Sequence, residues 1–101
     1  MIPEKTIEEL ITKHSILEKD LSSGNVDKKL FAEKSKEYSD LNEIIEDAKK
    51  YLSFEKDKTE LEKILVDENS DSELLKMAEI ELKDLEAHYK KNEKKLKLFL
   101  L

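Results

Sequence analysis

From Asp27 to Val66 the chain contains neither glycine nor proline. Nothing in that stretch stops a helix once it has started. An unbroken helix there has about eleven turns and spans roughly 60 Å, longer than a compact domain of this size is wide. The chain is therefore expected to be a rod built on one spine. Its apolar positions, Leu30, Phe31, Tyr38, Leu41, Ile44, Ile45, Ala48, Tyr51, Leu52, Phe54, Leu61, Ile64 and Leu65, recur at steps of three and four. That is a helical stripe and not the alternation of a strand. The seam runs from Phe31 through Tyr38, Leu41, Ile45 and Ala48 to Leu52, then hops through Tyr51 and Phe54 to Leu61 and Leu65. Losing the seven-residue register near Leu52 suits a short bundle better than a long coiled coil.

The flanking segments read as helices too. Pro3 suits a first helical turn, and Glu4, Glu8 and Glu9 lie where the helix dipole favours acids. A first helix over about 3–21 carries Ile7, Leu10, Ile11, Leu17 and Leu21 on one face, with His14 among them as a packing residue. Ser22-Ser23-Gly24-Asn25 ends it, and Gly24, the only glycine, is available for a left-handed closing conformation. Asp27 is the expected cap of the spine over 27–66. A second break runs from Asp67 to Asp71, and Ser70 with Glu73 fits a capping box there. Helix three over 71–98 then presents Leu74, Leu75, Ala78, Leu82, Leu85, Tyr89, Leu96 and Phe99. Short links make successive helices antiparallel. The fold class is all-α: an elongated antiparallel bundle or hairpin of three main helices in one domain, 1–101.

Composition closes several function classes. With 38% hydrophobic and 44% charged residues the buried stripes must be narrow, yet the apolar residues are periodic and the net charge is only −6, so a folded bundle is expected rather than a disordered chain. There is no cysteine, hence no disulfide, zinc–thiolate site or thiol nucleophile. A single glycine cannot make a phosphate-cradling loop, and no nucleophile is spaced with a base, so the chain is not expected to be an enzyme or to hold a cofactor. Asp67, Asn69, Asp71 and Glu73 alternate like the start of a calcium loop, but the sixth position is Ser72 and the twelfth is Ala78, so no metal is expected there. His88 lies one turn after Asp84 and reads as a surface ion pair. No apolar run approaches a membrane span and the start has no signal-peptide pattern, which makes a cytoplasmic protein without a membrane partner the expectation. Every basic residue is lysine; without arginine, sequence-specific nucleic-acid binding is not expected.

The charge is uneven. Residues 1–26 and 27–66 each carry −2, residues 67–89 carry −6 and residues 90–101 carry +4. An acidic head and a lysine tail complement the dipole of helix three, with Glu79–Lys83, Glu86–Lys90 and Glu93–Lys97 as supporting pairs. Lys90, Lys91, Lys94 and Lys95 nevertheless form the one basic zone, able to touch phosphate without reading sequence. The closing run Leu98-Phe99-Leu100-Leu101 is apolar where the chain stops, which fits either a last packed turn or a domain excised from a longer chain.

Three stretches, FAEKSKEYSDL from Phe31, VDENSDSELLKMAEIELKDL from Val66 and LKLFLL from Leu96, occur in an order and spacing that resembles the amino-terminal domain of bacterial peptide chain release factors of the kind that reads UAA and UAG. The related factors that read UGA match the Met77 to Leu82 segment less well. The resemblance covers nearly the whole chain and implies a helical domain that precedes a decoding domain and a Gly-Gly-Gln catalytic domain, neither present here. It implies a non-catalytic positioning role in translation termination. The implied partners are the ribosome, at the stalk base and GTPase-associated region of the large subunit, and the release factor glutamine methyltransferase. The candidate contact zones are the turn Ser22, Ser23, Gly24 and Asn25, reaching Val26, and the lysines Lys90, Lys91, Lys94 and Lys95. The other class open to such a chain is a free-standing coiled-coil adaptor that dimerises through its stripe.

Overall fold

A computed structural model describes all 101 residues as three helices, α1 (Glu4–Ser23), α2 (Lys28–Val66) and α3 (Ser72–Leu100), with no strand. The molecule measures 61 × 28 × 20 Å, the rod expected from the length of the spine. The helix ends follow from local chemistry. Pro3 caps α1 through its carbonyl, which accepts from Thr6 N at 3.1 Å, and Gly24 closes α1 at φ 74°. Asp27 caps α2, its Oδ1 accepting from Lys29 N at 3.1 Å. At the second turn the expected capping box does not form. Ser70 Oγ donates instead to the Ile64 carbonyl at 2.8 Å, which also accepts from Asp67 N at 3.4 Å at the end of α2, and Asp71 takes over as the cap of α3 by accepting from Leu74 N at 2.8 Å.

The spine is one unbroken helix through Ser53. α1 packs antiparallel along its first half and α3 antiparallel along its second, while α1 and α3 do not pack along each other. Cross-links fix the first register: Lys34 Nζ meets Asp20 Oδ2 at 3.0 Å, Tyr38 OH donates to Glu18 Oε2 at 3.1 Å, Lys13 pairs with Glu37, and His14 Nε2 bonds Asn42 Oδ1 at 3.0 Å. The second register is set by Lys95 with Asp47 at 3.7 Å and by the stacking of Tyr89 on both Tyr51 and Phe54. The hop of the apolar seam at Tyr51 and Phe54 is thus a change of partner. Upstream the stripe serves α1, and downstream it turns to serve α3.

Both partners meet the spine at its centre. Ile2, Ile7 and Leu17 from the first segment, Leu41, Ile44, Ala48 and Tyr51 from α2, and Leu96 from α3 form one buried cluster. His14 belongs to this packing, buried and stacked on Tyr38 with ring centroids 4.8 Å apart. Tyr51 ties the three segments together: its hydroxyl accepts from Ile2 N at 3.0 Å and from Tyr89 OH at 3.1 Å, and donates to Glu93 Oε2 at 2.9 Å. One hydroxyl hydrogen and two lone pairs are all used.

Other expectations need correcting. Phe31, assigned above to the seam, and Leu30, counted among the apolar positions of the stripe, are 51% and 46% exposed, because the first turn of α2 runs past the end of α1 and has no helix beside it. Of the three pairs expected along α3 only Glu93–Lys97 forms, at 3.4 Å; fully exposed pairs gain little over water. His88 Nδ1 lies 2.7 Å from the Asp84 carbonyl and not from its carboxylate.

Two outcomes test this packing. Leu96 is fully buried where all three segments meet, so Leu96→Ala is expected to cost about 3 kcal/mol in denaturant unfolding, against less than about 0.5 kcal/mol for the exposed Leu98→Ala. The Tyr51 hydrogen bond, helped by Lys97 and opposed by partial burial, holds the Glu93 carboxyl below its ordinary value of 4.5. A depressed carboxyl stabilises the fold above its unfolded value and loses that contribution as pH falls through the folded one. Glu93→Gln should therefore lower the melting temperature at neutral pH, with the gap closing as pH falls below 4.5; a gap independent of pH would refute the coupling.

Candidate functional site

The α1–α2 turn is shaped mainly by its own hydrogen bonds. Ser22 Oγ donates to the Glu18 carbonyl, Ser23 Oγ donates to the Asp20 carbonyl at 2.7 Å, and Asn25 N donates to Ser23 Oγ at 3.2 Å. Both serine hydroxyls are thus engaged within the last turns of α1, and Ser23 reaches the Asp20 carbonyl, one of the last four of the helix. Gly24 completes the reversal, and a Cβ at this position would meet no neighbour within 4 Å, so its backbone conformation and not crowding selects glycine. Ser22, Ser23, Gly24 and Asn25 are all exposed, and they project from one tip of the rod. Beside them lie the exposed Leu30 and Phe31, which sequence reading counted in the apolar stripe of the spine. The signal that could have found them is the mismatch in length: α1 stops too early to cover the first turn of a helix that begins just after it.

Lys90, Lys91, Lys94 and Lys95 are exposed on α3. Lys95 is held by Asp47, whereas no carboxylate lies within 4 Å of Lys90, Lys91 or Lys94. This zone belongs to the last part of the chain but not to an end of the rod. Because α3 runs back along α2, Lys95 stands opposite Asp47, near the middle of the spine. The turn and the lysine zone are therefore separate, roughly 30 Å apart along the axis at 1.5 Å per residue from Lys28 to Asp47.

In the α2–α3 turn the aspartates are structural. Asp67 Oδ1 accepts from Asn69 N at 2.9 Å and Asp71 caps α3, so the acidic turn spends these two carboxylates on backbone N–H groups. No three His, Cys, Asp or Glu side chains converge in a metal-binding arrangement. Burial, with hydrogen bonding to Tyr89, raises the Tyr51 hydroxyl far above the ordinary tyrosine value, which keeps it a neutral link in the core. Burial and then Glu18 likewise raise Tyr38. No helix is long and apolar enough to cross a membrane. Between α2 and α3 a cleft of 280 Å³ opens over Phe54 and Tyr89, with Asn92 on its wall. Asn92 is only 7% exposed, a burial not legible from its position among lysines.

Comparison with known proteins places these surfaces in context. The PCRF domain pattern matches residues 10–101. Peptide chain release factor 1 of Pelagibacter ubique is 72% identical over 101 residues, covering 100% of this chain and 28% of that protein. The proteins of the same name from Orientia tsutsugamushi (strain Boryong) and Treponema denticola are 37% and 39% identical over 94% and 84% of this chain, and 26% and 24% of their own lengths. The chain thus spans about a quarter of the length of the relatives it matches. No solved structure matches it significantly.

Proposed function

The chain belongs to the PCRF domain family, and on that premise we propose that it is the amino-terminal positioning domain of a release factor acting in translation termination. The observation that carries this reading is the 72% identity to a release factor over the full chain. The reading gives this domain no chemistry of its own: stop-codon recognition and peptidyl-tRNA hydrolysis belong to parts of a longer factor. Its contribution is to set distance and orientation, for which a straight rod with a contact zone at one tip and another at its middle is suited. Ribosomal RNA or protein at the stalk base and GTPase-associated region is the proposed docking partner, with the release factor glutamine methyltransferase as a second one off the ribosome. Lys90, Lys91 and Lys94, free of internal carboxylates, would meet phosphate without first breaking an ion pair.

A dimerising adaptor would need an unpartnered stripe along the spine. Instead Leu41, Ile44, Ile45, Ala48, Tyr51 and Phe54 are buried within a single chain. That burial favours the monomeric positioning role.

In the full-length factor, replacing Lys90, Lys91 and Lys94 with glutamine is expected to weaken ribosome association at low salt and to flatten its salt dependence, while peptide release at saturating factor is unchanged. Equal affinity of variant and parent across a salt series would remove the lysine zone from the docking surface.

A further inference from the structure

Below the stacked Tyr51 and Tyr89, two clefts that share Asp57 and Leu85 join into one trough between α2 and α3. Its floor is apolar, made by Phe54, Leu61, Ile64, Leu85 and Tyr89. Its walls carry four carboxylates, Asp57, Glu60, Glu81 and Asp84, and no lysine lies within 4 Å of any of them. At the upper end the Asn92 side chain is buried yet opens onto the cleft, and it takes no part in the side-chain hydrogen bonds that hold the bundle. Lys50 and His88 stand at that same end, where Asp57 is the one carboxylate of the four that lines the cleft.

We propose that this trough binds a cationic segment of a partner protein. The segment sets one aromatic side chain over Phe54 and Tyr89, within reach of the Asn92 carboxamide, and lays its lysines or arginines along the four carboxylates. The chemistry selects this occupant. Four unpaired carboxylates repel a nucleic acid backbone and attract a basic peptide. The 280 Å³ at the Asn92 end suits one anchoring side chain, and buried aromatic anchors carry most of the energy of such contacts. From Glu81 to Asn92 the wall is about 16 Å long, room for three turns of helix or about five extended residues. The trough uses none of the residues of the turn or the lysine zone, so it stands or falls independently of the termination reading.

The test titrates the isotope-labelled full chain with a short synthetic lysine-rich peptide bearing one central tryptophan, and with the same peptide bearing alanine there. The tryptophan peptide is expected to bind about tenfold tighter and to shift the amides of Ser53, Asp57, Leu85 and Asn92. The double variant Asp57→Asn with Asp84→Asn, whose melting temperature is measured alongside, is expected to weaken both peptides about tenfold while remaining folded. Equal affinity for the two peptides would overturn the proposal, as would shifts centred on Asp67 to Glu73 or full affinity in a folded double variant. Displacement of the tryptophan peptide by single-stranded polyuridine that shifts the same amides would equally overturn it.

Discussion

A helix in water is stable only in so far as it buries a face, and α2 has to bury two. Its upstream face is covered by α1 and its downstream face by α3, with an overlap confined to the stretch around Leu41 to Tyr51. The rest of the architecture depends on that division of one helix between two partners. It explains a molecule 61 Å long that still has a compact core, because burial is concentrated where three segments meet and thins toward both tips. It also explains why hydrophobic side chains such as Phe31 at one tip and Met77 and Ile80 toward the other remain exposed.

The change of partner is stabilised by polar chemistry as well as packing. Tyr51 is buried in the overlap, and its hydroxyl joins the start of the chain, the spine and α3 through three hydrogen bonds. A buried hydroxyl without partners would be costly, so the segments must arrive together for any of them to be satisfied. Sliding α3 by one turn along α2 would keep much of the apolar contact but would separate Tyr89 and Glu93 from Tyr51. The polar knot therefore sets register where the hydrophobic contacts alone would leave it loosely determined.

Much of this was legible in the sequence. The absence of glycine and proline from Asp27 to Val66 marks the spine, Gly24 and Asp27 mark the first turn, and the hop at Tyr51 and Phe54 marks a break in the stripe. What the stripe could not say is which helix covers which half, because periodicity records that a residue is apolar and not what lies opposite. Leu30 and Phe31 were misplaced for that reason. The cap of α3 moved from Ser70 to Asp71 because Ser70 had a second use, an acceptor at the end of α2 that local pattern does not reveal. The separation of the two candidate contact zones was not legible: the lysines close to the end of the chain lie near the middle of the rod only because α3 folds back.

That fold-back gives the molecule a mechanical property. The spine from the lysine zone to the α1–α2 turn is one continuous helix, braced by α1, with no hinge residue in it. Held at its middle, such a body acts as a lever: a tilt of about 10° at the midpoint carries the turn through about 5 Å over an arm of roughly 30 Å. Small rotations at the centre thereby become displacements at the tip as large as a helical turn, without any bending within the domain.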